Sequence, residues 1–147
     1  MNKMVPKIIL EGTRLTFKTE IAFALNEHPR LVGPRKYPII SAEWCAFTNF
    51  PWGRGLINFA PEEEALAMET YQTWLRLFEQ LRYYSWFVDR FHISTRLYQW
   101  MANGKDYDFT WLEQRLKALN FRLVFVTRTP ESFTAARERR LQVSGNP

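Results

Sequence analysis

The sequence predicts an α/β fold, a parallel sheet with helices on both faces. Short apolar runs bounded by turn residues alternate along the chain with stretches whose apolar residues recur at three- and four-residue steps. The first apolar run also passes through a glycine-led loop straight into a helical pattern, the strand, loop and helix from which such sheets are built. With 147 residues, 46% of them hydrophobic and 24% charged, the chain is expected to form one domain, residues 1–147, with a substantial core.

Residues 7–22, KIILEGTRLTFKTEIA, organise the rest. Ile8, Ile9 and Leu10 read as a buried strand, Gly12 opens a turn, and residues 18–26 form a helix with Ile21, Ala22 and Leu25 on one face. His28-Pro29 ends that helix, and His28 is expected in an exposed loop. A proline-rich, basic connection then leads to Ile39-Ile40, so residues 38–42 read as the second strand. Residues 49–58 form a loop with Pro51, Gly53 and Gly55.

Pro61 starts the longest helix, with Glu62, Glu63 and Glu64 in the first turn as a solvated cap favoured by the helix dipole. Met68, Tyr71, Trp74, Leu75, Phe78 and Leu81 follow as its buried stripe. Residues 84–88 are a third strand, ending at Asp89-Arg90. A helix from Ser94 stops at Asn103-Gly104. Thr110 and Glu113 have capping-box spacing for a helix through Leu119. Residues 121–126 are the fourth strand, and Thr129-Pro130 caps a last helix to about Leu141.

The loop after the first strand reads Gly12-x-x-x-x-Phe17-Lys18-Thr19, the phosphate-binding pattern with phenylalanine at its second glycine. Gly12, Thr13, Arg14, Leu15, Thr16, Phe17, Lys18 and Thr19 are therefore the candidates for phosphate contact. Backbone N–H groups at a helix start attract phosphate oxygens, Lys18 supplies charge, and the Thr19 hydroxyl suits magnesium. Phe17 brings a Cβ and a ring where the pattern has neither. Its ring closes the loop, turns into the core or, failing both, is a tolerated surface substitution. Right-handed crossovers align this loop with Glu43, read as following the second strand, and with Asp89-Arg90 on one sheet edge. Glu43 is either a hydrogen-bond and proton acceptor there or an ordinary surface carboxylate.

Lys and Arg exceed Asp and Glu by 20 to 15, a net +5, and this suits anionic partners. Aromatic residues make up 16% of the chain, but most fall at helical spacing and read as core; nucleic acid is not the expected partner. Cys45 is the single cysteine, so no internal disulfide forms, and a small core residue is expected there. No apolar run is long enough to span a bilayer and no secretory leader is visible, so no membrane is expected and a cytoplasmic location is.

Two stretches far apart resemble the thymidylate kinase family of nucleoside monophosphate kinases. That family carries I-x-x-E-G-x-x-x-x-G-K-[ST] near its start, here Ile8 to Thr19 with Phe17 as the departure. It carries D-R-Y-x-x-S-x-x-A-Y-Q after the third strand. Here Asp89, Arg90, Ser94, Tyr98 and Gln99 match, while Phe91 and Leu97 differ. A looser likeness to the start of the family's lid lies in Pro130, Glu131, Arg137 and Arg140.

The resemblance implies a P-loop nucleotide kinase fold, with ATP and Mg2+ as cofactors and a pyrimidine deoxynucleoside monophosphate as acceptor. A fifth strand and a final helix would follow the point where this sequence stops. It implies catalytic roles for Lys18, Asp89, Arg90, Arg137 and Arg140, metal contact by Thr19 and Asp89, and substrate contact by Arg90, Tyr98 and Gln99. An acid at Glu43 resembles related deoxynucleoside kinases, with a 5′-hydroxyl as acceptor. His92, within the second stretch, is expected to pack locally. The nucleotide or nucleoside is the expected partner, with a homodimer as an expected assembly. The rival reading is a catalytically degenerate nucleotide-binding or regulatory protein, because the phosphate loop is itself degenerate.

Overall fold

The structure is a computed structural model that describes residues 6–13, 15–28, 44–47 and 55–144. It is an α/β arrangement of four parallel strands and five helices among the described residues. In chain order these are β1 (Lys7–Glu11), α1 (Lys18–Glu27), β2 (Trp44–Phe47), α2 (Glu64–Gln80, entered by a 3-10 turn at Pro61–Glu63), β3 (Trp86–Asp89), α3 (His92–Asn103), α4 (Thr110–Ala118), β4 (Arg122–Phe125) and α5 (Pro130–Ser144). The sheet order is β2-β3-β1-β4.

Register follows burial. Ile9 lies opposite Val88 on one side and Leu123 on the other. Ile9, Trp86 and Val88 join the cluster built on the α2 stripe of Tyr71, Leu75 and Phe78, with Leu112 and Leu116 of α4 and the loop residue Phe91. Each such side chain contributes roughly 1.5–3 kcal/mol on leaving water. Leu10 and Phe87, which alternate with these along their strands, are fully buried too, and α1 packs on β1 and β3. Phe78 meets Trp86 at 5.0 Å and Tyr71 meets Phe91 at 4.8 Å, both edge to face. The Tyr71 hydroxyl shares a hydrogen bond with Thr95, and burial drives its pKa well above the ordinary tyrosine value.

Three expectations shift. The described part of the second strand is Trp44–Phe47, so strand structure runs on past Ala42, with Phe47 opposite Asp89. Residues 38–42 and Glu43 lie outside the described residues, as do Arg14 and residues 48–54. The capping box at Thr110 does not form. Asp108 Oδ1 accepts from the Thr110 amide at 2.9 Å, and Glu113 turns to His92 Nε2 at 3.1 Å. Asp108 precedes the helix and so reaches its first amides, a position Thr110 has already passed.

The third shift concerns β4. Parallel strands are ordinarily covered on both faces. Here Leu123, Val124 and Phe125 are exposed, and α5 buries none of its residues. No strand pairs with the outer edge of β4 among the described residues.

Candidate functional site

The carboxyl ends of β1 and β3 lie side by side, Leu10 opposite Asp89, and the Arg90 amide donates to the Leu10 carbonyl at 2.9 Å. On the other side Val126 N donates to the Glu11 carbonyl at 2.7 Å. Gly12 follows with φ 152°, and a Cβ there would stand 2.3 Å from the Val126 carbonyl oxygen. Only glycine lets the loop leave β1 past the end of β4.

The loop then uses left-handed backbone twice without glycine, at Leu15 (φ 66°) and Phe17 (φ 60°, ψ 32°). Such a conformation costs an L-residue roughly 1–2 kcal/mol and clusters at functional sites. Phe17 thus adopts the backbone its missing glycine would favour. Its ring neither closes the loop nor enters the core: it is 52% exposed, under the Arg128 guanidinium at 5.1 Å. Arg128 also donates through Nη1 to the Leu15 carbonyl at 2.7 Å, holding the loop in shape.

Lys18 is buried. Its Nζ donates to the Thr13 carbonyl at 2.6 Å and to Thr16 Oγ1 at 3.2 Å. Burial, with Arg90 adding like-charge repulsion, lowers its pKa to about 8, against the opposing pull of Asp89, Glu11 and Glu20. Thr19, next on α1, donates its hydroxyl to Asp89 Oδ2 at 2.9 Å. A hydroxyl and a carboxylate so joined are hard oxygen donors of the kind magnesium takes beside substrate phosphates. No cluster of three His, Cys, Asp or Glu side chains able to hold a metal by itself occurs among the described residues.

Glu11 matches the acid of the family's first pattern, but the sequence assigned it no role. Fully buried at the end of β1, it accepts from the amides of Phe91 at 2.8 Å and Ser94 at 3.3 Å, and from the Ser94 hydroxyl. It therefore anchors the Asp89-Arg90 turn and the start of α3, in which Arg90 is also left-handed (φ 69°). The sequence signal was an acid immediately before the loop glycine, paired with a serine five residues after Asp89.

A cavity of about 620 Å3 opens beside the loop, walled by Gly12, Thr13, Arg90, Tyr98 and Arg137 among others. Arg140 is not part of it. With Phe17, Arg128 and Arg139 it lines a separate groove of about 360 Å3 between the loop and α5. Gln99 is not at the cavity either: its Nε2 donates to the carbonyls of Ile57 at 2.9 Å and Phe59 at 3.0 Å, and its Oε1 accepts from Asn103. Buried carbonyls need donors, and Gln99 supplies them. His92 packs against Phe91 and Phe109, as expected, with burial lowering its pKa.

No family model, curated protein or solved structure matches the chain.

Proposed function

We propose that the chain is a P-loop nucleotide kinase-like protein, binding ATP phosphates at the Gly12–Thr19 loop and passing a phosphoryl group to a phosphorylated acceptor beside Arg90. The observation that carries this is the Thr19–Asp89 hydrogen bond of 2.9 Å, which ties the start of the loop-following helix to the end of the adjacent parallel strand. Thr19 and Asp89 are the residues that would hold Mg2+, whose chemistry is to draw charge from phosphate oxygens. Lys18 supplies a buried positive charge next to them, and the amides at the start of α1, which no side chain caps, favour an anion. Arg90 and Arg137 face the adjoining cavity, where guanidinium forks grip phosphate and offset the charge of a transferring group. The resemblance to thymidylate kinases names a pyrimidine deoxynucleoside monophosphate as the acceptor.

Calorimetric titration with ATP and magnesium, beside a coupled assay over nucleosides and monophosphates, tests this reading. Binding and turnover that vanish in Lys18→Ala are the expected result. Failure to bind ATP under any condition overturns it.

One observation favours a nucleotide-binding protein without turnover: Lys18 Nζ is engaged by the loop's own Thr13 carbonyl and Thr16 hydroxyl. Binding of ATP with no turnover of any acceptor would select that alternative. The deoxynucleoside kinase alternative depends on Glu43, outside the described residues.

A further inference from the structure

We propose that the cavity beside the phosphate loop receives a phosphomonoester whose body is apolar, with its phosphate toward Arg90 and Arg137 and its body along α3. This rests on the phosphate-loop reading and names, in place of the pyrimidine nucleotide that the resemblance implies, the acceptor class for that site. Two kinds of group line the cavity. The loop backbone at Gly12 and Thr13 and the two arginines supply N–H donors and positive charge. Ile93, Leu97 and Met101 recur at four-residue steps and form a single apolar stripe of α3, with Phe125 of β4 and Phe133 of α5 in the same lining.

That stripe is in solvent, Leu97 at 50% and Met101 at 72% exposed, with Phe125 at 66%. A volume of about 620 Å3 is within the range of small-molecule sites, and methionine adapts its shape to varied apolar partners. Of the polar side chains that α3 and β1 bring to this lining, Glu11 and Ser94 bind each other, and the Tyr98 phenol is the remaining one. A heterocycle recognised by its hydrogen-bonding edge would meet mainly carbon along this wall. Selection along the wall therefore runs mainly on apolar area, while the two arginines supply charge complementarity.

The experiment uses the full chain and calorimetry with inorganic phosphate, ethyl, butyl and hexyl phosphate, and thymidine monophosphate, with ATP and magnesium titrated separately. Affinity should rise by roughly two- to fourfold per added methylene. Hexyl phosphate should bind more tightly than thymidine monophosphate. Leu97→Asn and Met101→Gln, uncharged changes at exposed positions checked by thermal melts, should flatten the series while leaving the affinity for inorganic phosphate unchanged. A flat series in the parent protein overturns the proposal. If ATP still binds in that case, the phosphate-loop reading survives alone; if neither ATP nor any ester binds, both fall. A flat series from a dimer that Leu97→Asn turns into a monomer assigns the stripe to a second copy of the chain, and also overturns the proposal.

Discussion

Glu11 holds Ser94 by two of its atoms, accepting from the amide nitrogen at 3.3 Å and from the hydroxyl, across 83 residues of sequence. The same carboxylate accepts from Phe91 N at 2.8 Å, so one buried side chain from β1 caps α3 and fixes the turn that carries Arg90. Glu11→Gln keeps the volume but turns an amide donor toward backbone donors. We expect a loss of about 2–4 kcal/mol in urea unfolding. Ser94→Ala should cost about 1–2 kcal/mol, and the double variant should cost less than the sum.

Phe17 spends stability on its left-handed backbone and recovers a little from Arg128 above its exposed ring. Phe17→Gly should leave stability unchanged or raise it by up to about 1 kcal/mol, because strain of roughly that size is relieved. Phe17→Ala keeps the strain and loses the stacked guanidinium, so it should melt below both. A loss of 3 kcal/mol or more in Phe17→Gly would mean that the ring is part of the core.

Lys18, with its pKa depressed to about 8, binds fewer protons folded than unfolded between that value and 10.5. Stability due to this group is thus gained as pH rises through that window and lost below it. Lys18→Met should accordingly be more stable than the parent at pH 7, by roughly 1–3 kcal/mol, with the advantage fading by pH 10.5. The same variant should lose ATP binding. In the parent, affinity for ATP should weaken between pH 7 and 9 as the amine loses its proton, and calorimetry in buffers of different ionisation enthalpy should show proton uptake near pH 8.

His92 is almost fully buried, with Nε2 on Glu113 and Nδ1 without a hydrogen-bond partner among the described residues. Burial depresses its pKa below 6.5, so its contribution is complete above that value and is lost on acidification. Urea midpoints should fall as the pH drops below 6.5, and His92→Phe should flatten that part of the profile.

Sequence reasoning reached the elements whose signals are local. The β1 run, Gly12 and Lys18 lie within twelve residues, and the α2 stripe repeats along one helix. It missed what depends on distant chain. Trp44–Phe47 went unread as strand because aliphatic runs advertise strands more plainly than mixed aromatic ones. Glu11 fitted the acid of a family pattern but carried no role, since its partners at Phe91 and Ser94 arrive only on folding. Thr110 and Glu113 had capping-box spacing, yet Asp108 and His92 competed for the same atoms. Gln99 matched a family position, and its burial against Ile57 and Phe59 has no sequence signal at all.

The exposed outer strand bears on how this protein behaves in a test tube. Arg122-Leu123-Val124-Phe125 presents an unpaired backbone edge among the described residues, with apolar side chains and one charge to discourage stacking. Such an edge is a template for further strands. Concentrated samples are therefore at risk of growing into ordered aggregates from this side of the sheet. A charge placed at one of the strand's solvent-facing positions is expected to lengthen the lag before they appear.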